Sequence, residues 1–167
     1  MLPAPVLVLH IVFGSIGLVL GPIAMNARKQ PGLHTRAGEI YHWNMLALCV
    51  SAATMAVIDW QNDWFFLPVG IFSYAFALLG YVAAKIRWRN WLRFHVAGQG
   101  GSYIAMTTAL LVVRFGIQAW WAWILPTLIG SPILAWVSNE VAAGRRPKTV
   151  SAEPLPPVSG SRSSAPP

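Results

Sequence analysis

The chain has 167 residues, of which 56% are hydrophobic and 10% charged. A water-soluble domain carries about 25% charged residues, so this composition excludes an ordinary soluble globule and points to a single domain embedded in lipid. The net charge of +7 does not mark a nucleic-acid binder, because the basic residues fall in short runs between long apolar stretches, as in the loops of a membrane protein.

Five apolar segments approach the ~20 residues that cross a bilayer as a helix. They fall at about 4–26, 40–60, 64–86, 92–115 and 118–140. The predicted fold is therefore an all-α polytopic bundle of five transmembrane helices over residues 1–144. The first segment has no basic run before it, and Arg28 and Lys29 follow it. That order suits an uncleaved anchor with its N-terminus outside rather than a secretory signal peptide.

The connections alternate in charge. Arg28, Lys29 and Arg36 follow the first segment, Asp59 and Asp63 the second, and Lys85, Arg87, Arg89 and Arg93 the third. Arg114 follows the fourth, and Arg145, Arg146 and Lys148 follow the fifth. Basic loops stay in the cytoplasm, so the expected orientation is N-out and C-in, in the inner (plasma) membrane. Arg114 is the exception. Tryptophans gather where helices should meet the interface: Trp60, Trp64, Trp120, Trp121 and Trp123 outside, and Trp43, Trp88 and Trp91 inside. From residue 145 onward the chain is rich in Pro, Ser and Gly. Such a segment has too little apolar surface to offset the entropy of ordering, and a disordered cytoplasmic tail over 145–167 is expected.

Ionisable groups at membrane depth are costly and are functional candidates. Of the four histidines, His10, His42 and His95 fall within predicted helices, and His34 lies in the first inner loop. His42 and His95 each sit about one turn inside the cytoplasmic start of their segments. Two histidines at one depth on different helices suit the axial positions of a b-type haem. Small residues flank them at helical spacing: Gly98, Ser102 and Ala105 after His95, and Cys49 and Ala52, with Met45, after His42. His10 begins a stripe with Gly14, Gly17 and Gly21 and is a weaker metal-ligand candidate, with Met106 at a compatible depth. The same small residues equally suit close helix packing, and Gly17 with Gly21 forms a GxxxG pair.

The polar residues Asn44, Thr54, Gln99, Thr107 and Thr108 are expected to bond between helices. Pro126 and Pro132 are expected to kink the fifth helix. Cys49 stands alone, which leaves no intrachain disulfide and no cysteine-based zinc site. No phosphate-binding loop, nucleophile elbow or HExxH is present.

The run Leu9-His10-Ile11, Gly14, Gly21-Pro22, then Leu33-His34, Gly38 and Tyr41 resembles a family of uncharacterised bacterial multi-pass membrane proteins. The segment from His95 to Ser102-Tyr103 is similar to that family's later histidine-bearing helix. The resemblance covers roughly residues 8–115 and implies a membrane protein in which these histidines matter. The chain departs from the pattern at Thr35 and Glu39, where the family places arginine. The layout is also loosely similar to b-type membrane cytochromes.

The leading expectation is thus a small haem-binding electron-transfer protein with His42 and His95 as ligands, served by a redox partner or a second copy in the bilayer. The alternative is a cofactor-free membrane protein acting in partner binding or small-solute passage. A third reading joins His34 to the inner histidines around zinc.

Overall fold

The computed structural model describes residues 4–28 and 32–144. The tail expected over 145–167 lies outside the described residues. Within them the chain is helical, with no strand: α1 Ala4–Asn26, α2 Leu33–Ile58, α3 Trp60–Asp63, α4 Phe66–Ile86, α5 Trp91–Phe115 and α6 Trp120–Ala142. All but the single turn of α3 are long and apolar enough to cross a membrane. The helical form follows from the solvent. Hydrocarbon offers no partner for a backbone amide, and a helix satisfies its amides internally.

Four of the five expected spans agree with these helices to within two residues. The second differs. α2 begins at Leu33 rather than near 40, so His34 lies in the first turn of a helix and not in a loop. The first turns of α2 carry His34, Thr35, Arg36 and Glu39, which are too polar for a hydropathy window. Backbone hydrogen bonding is indifferent to that polarity and carries the helix on. Gly32, directly before α2, takes φ 138, a conformation that costs glycine little.

α1, α2, α4 and α5 form a ring in which α1 meets α2, α2 meets α4, α4 meets α5 and α5 meets α1; α6 packs outside on α5. The interior is filled by Tyr41, Met45 and Leu48 of α2, Ala77 of α4 and Met106 of α5, with Phe13, Leu18 and Tyr103 against them. α6 runs without a break through Pro126 and Pro132.

The small residues set the spacing of this ring. A Cβ on Gly98 would stand 2.6 Å from both the Gly80 Cα and the Phe76 carbonyl oxygen, so α4 and α5 touch backbone to backbone. On α1, a Cβ on Gly17 would meet the Met106 sulfur at 2.9 Å, and one on Gly21 would meet the Tyr103 ring at 2.5 Å. The glycine stripe on α1 therefore receives side chains of α5, which is packing of the small-residue kind.

Asn44 and Gln99 bond between helices, to the carbonyls of Phe13 and Ala77. The three threonines do not. Thr54, Thr107 and Thr108 each donate to the carbonyl four residues back, Val50, Tyr103 and Ile104. A threonine hydroxyl reaches that carbonyl within its own helix and needs no neighbour.

Replacing Gly98 by alanine should push α4 from α5 and cost about 1–3 kcal/mol, the usual range for overpacking. Gly38→Ala, where nothing stands within 4 Å of the added carbon, should be close to neutral. Thermal unfolding of the two variants in one detergent checks the contrast.

Candidate functional site

The ends of α1 and α4 and the beginnings of α2 and α5 meet at one end of the bundle, here called the histidine end. Three of the four histidines lie there. His34, in the first turn of α2, brings Nδ1 to 2.8 Å from the Ala24 carbonyl oxygen of α1. His95, in the second turn of α5, brings Nδ1 to 2.8 Å from the Gly80 carbonyl oxygen of α4. A carbonyl only accepts, so each Nδ1 carries the proton and donates. Each ring is thereby fixed in the tautomer whose lone pair sits on Nε2, the arrangement common among metal-bound histidines. The two ring centres are 6.1 Å apart and the planes cross at 82°. Trp91 lies beside His95, with ring centres 6.2 Å apart.

His42 has different company. Its ring stacks flat on Tyr81 of α4, 3.9 Å between centres and 9° between planes. Tyr74 and Trp43 complete its ring contacts, at 5.8 Å and 5.4 Å. The pair that the fold brings together is therefore His34 with His95, whereas His42 lies against the tyrosines of α4. The residue is 3% exposed, and its Nδ1 is buried without a hydrogen-bond partner. Buried polar atoms are rarely left so, which makes this nitrogen a candidate donor to something not of this chain.

Tyr81 links the stack to charge. Its hydroxyl donates to Glu39 Oε2 at 3.1 Å, and Glu39 Oε1 pairs with Lys85 Nζ. This pair ties α2 to α4. Both partners remain partly exposed, so it contributes about 0–1 kcal/mol.

The small residues that follow His95 are taken up by packing. Gly98 lies on Gly80. Ser102 Oγ lies 3.0 Å from the Tyr41 hydroxyl, buried between α5 and α2, and donates to the Gln99 carbonyl. Met45, beyond His42, is fully buried in the core.

His10 sits toward the opposite end, on α1. Its Nδ1 is 2.9 Å from Ser51 Oγ, and the Ser51 hydroxyl donates to the Leu48 carbonyl. Nδ1 of His10 therefore donates to the serine oxygen. Met106, its candidate partner, packs on Gly17. Beyond that end, Asp63 has its carboxyl held above the usual range, first by burial and then by the charge of Asp59. No group of three or more metal-ligating side chains stands together among the described residues.

The sequence placed His34 in a loop and joined it to the inner histidines only through the zinc alternative; the structure puts it in α2 and next to His95 in particular. The one available signal was the stretch Leu33–Glu39, proline-free and polar at His34, Thr35, Arg36 and Glu39, readable as a polar helix start. Comparison with family models, with curated proteins and with solved structures returns no match for this chain.

The burial of His42 under Tyr81 has a chemical consequence. Diethylpyrocarbonate should modify His42 more slowly than the part-exposed His34, and Tyr81→Ala should speed modification of His42 severalfold. Peptide mass spectrometry over a time course reads both rates.

Proposed function

We propose that this multi-pass membrane protein binds a b-type haem at its histidine end and serves in electron transfer, with His95 as one axial ligand. The carrying observation is the His34–His95 pair. The ring centres stand 6.1 Å apart, close enough that both imidazoles would reach one iron, whose histidine nitrogens bind at about 2 Å. The donor set supports iron in a macrocycle over zinc. A structural zinc ion takes about four protein ligands, whereas haem brings its own equatorial nitrogens and asks the protein for two.

In this reading His34 would be the second ligand. The pairing of His95 with His42 expected from the sequence has its own support in the unpartnered Nδ1 of His42. Met45 and the Tyr41–Ser102 bond close the interior, so in this reading haem would be held at the bundle end. Haem, when bound, supplies one-electron transfer. The chain's own residues hold the two imidazole rings by the Ala24 and Gly80 carbonyls, with Trp91 beside His95. The resemblance to a histidine-bearing membrane family is consistent with this reading and names no reaction.

The deciding measurement is the absorption spectrum of protein purified in detergent from haem-replete cells, oxidised and then reduced with dithionite. A Soret band with a sharp reduced α-band is expected, lost in His95→Ala and His34→Ala and kept in His42→Ala. Loss in His42→Ala with retention in His34→Ala would assign the second ligand to His42. A colourless wild type would reject haem and favour the cofactor-free alternative, a protein of partner binding or solute passage.

The same reading places the chain in the plasma membrane with the N-terminus outside and the histidine end in the cytoplasm, on the charge of its loops. A phosphatase fused to the C-terminus should be inactive and a cytoplasmic fluorescent reporter active. The opposite pattern would reverse the orientation.

A further inference from the structure

The histidine end also holds most of the charge. Among the described residues Arg28, Arg36, Lys85, Arg87, Arg89 and Arg93 lie there against the carboxylates Glu39 and Glu140. The opposite end has Arg114 against Asp59 and Asp63. Lys85 is occupied by Glu39. No carboxylate among the described residues forms an ion pair with Arg87, Arg89 or Arg93.

These arginines flank a built feature. Arg87 and Asn90 both adopt left-handed backbone, at φ 56 and φ 64, so the chain reverses tightly between α4 and α5. The Arg87 guanidinium carbon lies 5.4 Å from the centre of the Trp91 ring, a cation–π contact that holds the cation at the turn. Beside it is a crevice of about 290 Å³ lined by Asn90, Trp91, Leu92, Arg93 and, from α6, Val141. One part of its lining is cationic and amide; the other part is aliphatic.

We propose that this crevice binds the phosphate headgroup of an anionic phospholipid. A guanidinium donates two parallel hydrogen bonds to phosphate oxygens, and basic pockets between transmembrane helices hold anionic headgroups. The aliphatic lining selects lipid over free phosphate, because only a lipid has acyl carbons to lay against Leu92 and Val141. The depth agrees, since the crevice lies at helix ends beside Trp91, a residue type that favours the interface. The bound lipid bridges the start of α5 to the end of α6, the helix that packs outside the four-helix ring. This site is independent of the haem reading and of the orientation.

Native mass spectrometry of the detergent-purified full chain, with phosphatidylglycerol or phosphatidylcholine added at equal concentration, tests it. The expected result is selective retention of phosphatidylglycerol, with a higher unfolding temperature in micelles containing it. Arg87→Gln with Arg93→Gln should cut that retention severalfold, Arg93→Lys, which keeps the charge but loses the paired hydrogen bonds, should fall between wild type and Arg93→Gln, and Arg114→Gln should leave it unchanged. Equal retention of the two lipids would overturn the proposal, as would full retention by the double variant. Stabilisation by inorganic phosphate alone, equal to that by lipid, would overturn the choice of lipid. Should the double variant fail to fold, the preference of the wild type between the two lipids decides.

Discussion

The contact of α4 with α5 at Gly80 and Gly98 governs this structure. Backbone meets backbone there because neither residue has a side chain to intervene. In a membrane the approach of two helices is driven by dispersion contacts and hydrogen bonds, since lipid tails are as apolar as the side chains they would replace. The same approach positions the candidate site. It brings the Gly80 carbonyl within 2.8 Å of His95 Nδ1, one turn before Gly98 on α5. A wider separation would leave that imidazole without its anchor and its tautomer undefined.

A second set of contacts gives the ring its register. Asn44 reaches the Phe13 carbonyl, Tyr103 the Leu18 carbonyl and Gln99 the Ala77 carbonyl, while Tyr41 meets Ser102. Each joins two helices of the ring, and such bonds average ~0.6 kcal/mol in membranes. Their value is directional. Apolar surface packs in many rotations about a helix axis, and a buried amide or phenol is satisfied in few of them. At the histidine end the polar groups multiply: Glu39, Lys85, Tyr81 and His42 form one connected patch between α2 and α4, and His34 and His95 another among α1, α2, α4 and α5. The Nδ1 of His42 is the one buried side-chain nitrogen or oxygen without a partner among the described residues.

The two ends of the bundle differ in chemistry as well as charge. One carries the imidazoles and the arginines of the α4–α5 turn. The other carries Asp59 and Asp63, with Asn62 donating to Asp59 at 2.8 Å. α6 stands outside the ring and presents Trp120, Leu128, Ile129, Ile133 and Trp136 to its surroundings. Lipid is a sufficient partner for that surface.

The amino-acid sequence by itself determined the class: five apolar runs of spanning length, few charges and tryptophans near the ends leave a helical membrane bundle as the structure that satisfies every backbone amide. It also marked His42 and His95 as ionisable groups at membrane depth. It did not reveal that α2 starts at Leu33, because a hydropathy window registers side-chain polarity while the helix is propagated by backbone hydrogen bonds. Nor could it show which faces meet. The stripe of Gly14, Gly17 and Gly21 was legible as small residues, but only the fold decided that side chains of α5 fill the space over Gly17 and Gly21. Likewise, the matched depth of His42 and His95 rested on where α2 was taken to start: His42 stands nine residues after Leu33, whereas His95 stands four after Trp91. The fold set His42 on Tyr81 and brought His95 to His34, through contacts between residues 15 to 61 positions apart.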